Sequence, residues 1–243
     1  MSDNKATTTM DPETAAVLHQ ARGFWDRFSK PIIYIGSAVI VLIAGWYSYK
    51  NFIQIPKENK AKDAIFRAEK IFDAMSGSGF NKDSVNLVLN GGLTTDGNKI
   101  TGVLKVISEF DGTETANRGH FIAGACYLQT GEFDKAINQL KSFKANGASQ
   151  VESRAYIMIG HAYAEQKKND DAFSYYKKAA SVNEKDETMT TDALNTAAAF
   201  AAYTGKTKDA IELYSKLKEK YPTSTMVTSG EVDKQLAKLG QFN

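Results

Sequence analysis

Three histidines and one cysteine are the side chains of this 243-residue chain best suited to ligating a metal or acting as acid, base or nucleophile. A zinc or iron site needs several donors at short spacing so that they converge on one ion. His19, His120 and His161 are scattered instead, with no Cys or acidic cluster at ligand spacing beside any of them. No metal is expected. Cys126 stands between Ala125 and Tyr127 in a mid-helix run, a setting for a small core residue rather than a nucleophile. No glycine-rich phosphate loop opens a helix after a strand, and no Gly-x-Ser-x-Gly elbow is present. Asp170, Asp171, Glu184, Asp186 and Glu187 read as solvated turn acids. The sequence therefore predicts no catalytic constellation, no cofactor and no enzymatic activity.

Without a reaction centre, function must lie in surfaces and in what holds them. Lys+Arg 30 against Asp+Glu 28 gives a net charge of +2, too small a field to draw in nucleic acid. A single cysteine excludes an internal disulfide framework. The dominant element is Pro31 to Tyr49, a run without one charged residue between Lys30 and Lys50. As a helix rising ~1.5 Å per residue it would extend roughly 28 Å, close to the thickness of a bilayer's hydrocarbon core. Tyr34 near one end, and Trp46, Tyr47 and Tyr49 at the other, suit the headgroup level. No small-residue cleavage pattern follows, so the run reads as an uncleaved signal anchor. Basic residues lie on both sides and leave its orientation open. Ser37, Val41, Ala44, Gly45 and Ser48 recur every three or four residues and form a candidate face for a second membrane helix.

Before the anchor, residues 1–10 read as an unstructured tail and residues 12–29 either as a helix lying on the lipid surface or as an unstructured juxtamembrane segment. Pro56 is expected to close the anchor. An amphipathic helix follows over 60–75, then an insertion over 76–98 rich in glycine turns, with no secondary structure assigned over 80–98. Ile100, Val103, Leu104 and Ile107 resume helical spacing as far as Gly112.

Beyond that point the chain repeats itself at about 36 residues. Gly124 and Tyr127 with Ala136 and Leu140 recur as Gly160 and Tyr163 with Ala172 and Tyr176, then more faintly as Ala198 and Ala201 with Ala210 and Tyr214. Each unit reads as two helices brought close by small residues. The residues resemble the tetratricopeptide repeat, with units at about 117–150, 153–186 and 191–224. With the anchor read above (31–49) and the tail and juxtamembrane helix before it (1–30), the resemblance implies an all-α fold in which a helical solenoid (57–243) follows one amino-terminal transmembrane helix. A terminal helix carrying Val232, Gln235, Leu236 and Leu239 would cover the last apolar face. In such a stack the first helix of each unit lines a concave channel, which the resemblance assigns to Arg118, Phe121, Leu128, Arg154, Ile157, His161, Asp192 and Asn195. Arg118 and Arg154, at equivalent positions, would pin a carboxylate while Phe121 and Ile157 take apolar groups. The alternative is a scaffold whose partners bind elsewhere.

An amino-terminal anchor followed closely by a small domain of such repeats resembles the YfgM-like ancillary subunits of the bacterial SecYEG translocon. That resemblance implies a cytoplasmic amino terminus at the inner membrane, a periplasmic repeat domain, and as partners the translocon, a membrane-anchored prolyl-isomerase-like chaperone and exported polypeptides. The competing expectation is a scaffold for another envelope assembly, such as cell-division, outer-membrane or secretion machinery.

Overall fold

Asp11, Pro12 and Glu13 open a helix in the manner that suits its positive end, with proline where a missing N–H goes unused. The computed structural model describes residues 11–94 and 96–241, apart from the side chains of residues 12, 14, 15 and 19. The tail expected at 1–10 and the ring of His19 lie outside the described residues. From Pro12 the chain forms one helix, α1 (Pro12–Tyr49), so the boundary expected near Pro31 is absent. Proline removes a single i→i−4 bond, to the Arg27 carbonyl, and the helix formers on both sides carry the backbone through it. Pro56 does not end the helical backbone either. A five-residue π stretch follows (Lys50–Gln54), closed by the Ile55 N–H reaching Lys50 O, and α2 (Ile55–Ser78) starts there. The wider turn eases the clash between the Pro56 ring and the carbonyl four residues before it.

The chain divides into two units between Pro56 and Lys57. In the first, Ile33, Ile40, Leu42, Ile43 and Trp46 are all exposed, and none of the most apolar window is buried. The helix is long and apolar enough to cross a membrane.

The second unit holds the remainder of α2, then α3 (Lys82–Asn90), the strands β1 (Gly91–Leu93) and β2 (Lys99–Thr101), and α4 (Val103–Glu109). The long helices are α5 (Glu114–Gln129), α6 (Phe133–Ser142), α7 (Ser149–Glu165), α8 (Asn169–Ser181), α9 (Glu187–Tyr203) and α10 (Thr207–Lys220), followed by the one-turn α11 (Thr225–Thr228) and by α12 (Glu231–Lys238). The insertion thus contributes a helix and a strand among its described residues. Asn81 caps α3 by accepting from the Ser84 N–H at 2.8 Å, and Val85, Val88 and Leu89 turn inward. The two strands pair antiparallel, Gly92 opposite Ile100. Gly91 and Gly102 are needed because their backbones lie too close for a Cβ on either. Ile65, Val88, Val103, Val106 and Cys126 join α2 to α5 in one core cluster.

Each later helix pair crosses at its small residue. A Cβ on Gly124 would lie 2.5 Å from Leu140 Cγ, and one on Gly160 2.5 Å from Tyr176 Cε1. In the third pair Ala198 packs with Tyr214. The turns within pairs need a left-handed residue, supplied by Gly131 (φ 78°) and Gly205 (φ 77°), but in the middle pair by Lys167 (φ 60°). A side chain there is strained by about 1 kcal/mol. Lys167→Gly is therefore expected to raise stability by roughly 0.5–1 kcal/mol, read as a higher urea midpoint at unchanged slope. At the far end Val232 and Leu236 of α12 cover Leu217 and Tyr221.

Candidate functional site: a groove along the first helices of the repeats

The helices α5, α7 and α9 follow one another along one side of the stack. The starts of α5 and α9 are set by local chemistry: Thr113 Oγ1 accepts from the Ala116 N–H at 3.0 Å, and Asp186 Oδ1 from the Met189 N–H at 3.1 Å. A third bond ties α2 alongside, with Thr115 Oγ1 donating to Glu58 Oε1 at 2.7 Å. Between these elements lies a cavity of about 800 Å³. Phe72, Phe80, Phe121, Leu128, Ile157, Met158 and Met189 give it apolar walls, and Gln129, Gln150, Arg154, His161, Asp186 and Asp192 supply its polar groups. A second cavity of about 400 Å³ shares Phe72 and Phe121 with the first and adds Glu69, Asp73, Glu114, Arg118, Phe143 and Lys144.

Of the residues that the repeat pattern assigns to the channel, Phe121, Leu128, Arg154, Ile157, His161 and Asp192 line the larger cavity together. Arg118 lines the smaller one, with Nε and Nη2 donating to Glu69 Oε1 at 3.1 and 3.0 Å. Asn195, half-buried on α9, lines neither. The two arginines are thus unequal: Arg118 is held by α2, whereas Arg154 has no hydrogen-bond or ion partner among the described residues. Sequence reasoning missed Phe72, Phe80 and Met189. Phe72 belongs to the apolar face of the helix over 60–75, but nothing in the repeat spacing says that this helix walls the groove.

His161 lies on the groove wall with Nδ1 2.8 Å from Tyr176 Oη. Burial pushes the Tyr176 hydroxyl up to about 12, so it remains protonated and able to donate to the neutral ring. Enclosure of that edge of His161 lowers its pKa from 6.5, an effect that the charge of Glu165 opposes. The folded chain therefore favours the neutral ring, and the unfolded chain takes the proton first. Stability from this residue is complete above the unfolded pKa and is lost as pH falls through the lowered folded value. Wild type should lose stability relative to His161→Gln between about pH 7 and 5, measured by urea unfolding. Burial likewise raises the Cys126 thiol to about 12, leaving it protonated. Among the described residues no three His, Cys, Asp or Glu side chains gather where they would hold a metal ion.

The face Ser37, Val41, Ala44, Gly45 and Ser48 stands exposed along α1. Ser37 Oγ donates to Tyr34 O at 3.0 Å, and a Cβ on Gly45 would point into open space.

Residues 153–186 match one family model of the tetratricopeptide repeat, and residues 193–224 match a second. These segments take in most of α7 with α8, and most of α9 with α10. No curated protein matches the chain. The α5–α6 pair lies outside the matched residues but shares the crossing of a glycine against a large side chain.

Proposed function

From a helical stack that contains tetratricopeptide repeats, an interaction module for other proteins, we propose a non-enzymatic adaptor that holds polypeptide segments in its groove while α1 anchors it in a bilayer. The supporting observation is the 800 Å³ groove, apolar on most sides, with Arg154 unpartnered within it. An extended chain can lay alternate side chains against Phe121, Ile157 and Met189 while its backbone and polar groups meet Arg154, Gln150 and Asp192. The unburied apolar window of α1 supports the anchor, since so much apolar surface needs cover from lipid or from other helices.

By its layout the chain is an ancillary subunit of the Sec translocon at the bacterial inner membrane. It works with SecYEG and a membrane-anchored prolyl-isomerase-like chaperone, its amino terminus cytoplasmic and its repeats in the periplasm receiving exported polypeptides. Photocrosslinkers at Ser37 and Ala44 should capture translocon or chaperone helices, and one at Ile157 an exported chain in transit. Failure at all three positions in a functional tagged protein would count against the whole reading. One observation favours a second reading, a scaffold for another envelope assembly: Glu69 already occupies Arg118, one of the two cations a peptide carboxylate would seek. Co-purification in mild detergent separates them, because envelope-assembly proteins without any translocon subunit would select the scaffold.

A further inference from the structure

The groove's electrostatics run against the charge of the chain. The protein as a whole is net positive, yet the walls of the two cavities carry Glu69, Asp73, Glu114, Asp186 and Asp192 against Arg118, Arg154 and Lys144. Arg118 and Glu69 cancel. The remaining four carboxylates outnumber the two remaining cations, and no cation is ion-paired to any of those four among the described residues. Glu114 is held by the Asn146 amide at 3.1 Å. Asp186 is held by the Gln150 amide at 2.9 Å and the Met189 N–H, and these bonds keep its carboxyl below the usual range, so it stays charged. Asp73 and Asp192 are exposed, with side chains unpartnered among the described residues.

Lys144 lines the smaller cavity, but three other lysines without a carboxylate partner lie off the groove. Lys141 and Lys168 lie within 6 Å of the Tyr163 ring centre, at 5.3 and 5.8 Å, and Lys178 is 4.4 Å from that of Tyr175. None of the three lines the groove.

We infer that the groove selects extended segments in which large apolar side chains alternate with Lys or Arg. The apolar side chains seat against the shared Phe72–Phe121 wall, and the cations reach Asp73 toward one end and Asp192 toward the other. This rests on the groove being a polypeptide site, as proposed above, and adds the charge of what it takes. Arg154 then serves as a repulsive element against cations placed at mid-groove and sets the register of the bound segment.

The test uses the full chain in mild detergent and two short fluorescent peptides, one with Leu and Phe alternating with Lys, the other with Glu replacing every Lys. Anisotropy should show the Lys peptide binding about ten-fold tighter at low salt, the gap narrowing as ionic strength rises. Asp73→Asn with Asp192→Asn should remove roughly five-fold of that preference without disturbing the fold, as neither side chain has a partner to lose. Equal binding of the two peptides, or tighter binding of the Glu peptide, overturns the charge selection while leaving the groove as a polypeptide site. Binding of neither overturns both.

Discussion

Gly160→Val is expected to destabilise the repeat unit by about 3 kcal/mol. The first added carbon alone would lie 2.5, 2.7 and 3.0 Å from Cε1, Cδ1 and Cζ of Tyr176. That ring cannot swing aside. It is 2 % exposed, meets Phe200 edge-on at 5.0 Å and His161 at 5.4 Å, and its hydroxyl is bonded to His161. Valine also gains less helix propensity than alanine and is stiff at χ1. Gly160→Ala should fall well below this figure because about 1 kcal/mol of propensity offsets the overlap. Gly124→Ala should be milder still, since its neighbour Leu140 is an aliphatic side chain with rotamers to spare. Urea unfolding followed by helical circular dichroism reads all three. In a Tyr176→Leu background the Gly160 substitution should lose 1–2 kcal/mol of its effect, the signature of a direct clash. A loss below about 1 kcal/mol for Gly160→Val would mean that α7 and α8 do not cross at this residue.

Ile40→Arg should release much of the protein from alkaline-washed membranes into the supernatant. Ile40 lies at the middle of the uncharged run, where an arginine raises the insertion free energy by roughly 2.5–3.5 kcal/mol relative to a neutral scale and more relative to isoleucine. In the protein itself it is 67 % exposed, so no packed contact is lost. The same change at Val17, outside the uncharged run, should leave the protein with the membranes, because an arginine there can reach the headgroups. Unaltered pelleting of Ile40→Arg would place this helix outside lipid.

The helix pairs were legible in the chain because the information is local and periodic. A glycine or alanine marks each crossing, and the large residue it admits follows sixteen positions later, as Gly124 with Leu140 and Gly160 with Tyr176. The features that escaped depend on residues far apart or on backbone detail. The ribbon needs Gly91 to meet Gly102 across a turn, whereas the sequence offers only a cluster of glycines. The π stretch before Pro56 and the unbroken helix through Pro31 are adjustments in which a strong breaker is absorbed by its neighbours. In the groove, the resemblance to the repeat family assigned Phe121, Arg154, Ile157 and His161 to one channel, and they line one cavity. It did not reveal that Glu69, 49 residues from Arg118, would hold that arginine, because equivalence of position within repeats says nothing about what an added helix brings alongside.

The helix α12 also governs what many copies of this molecule do together. A solenoid whose last apolar face lies bare is a template on which the next copy can seat, and head-to-tail growth without closure yields fibres. Here that face is roofed, and Asp233, Lys234 and Lys238 on the roof are exposed and charged. Crowding should therefore not drive the repeats to polymerise. The span of chain that one molecule can grip stays fixed, like a gauge cut to a single length.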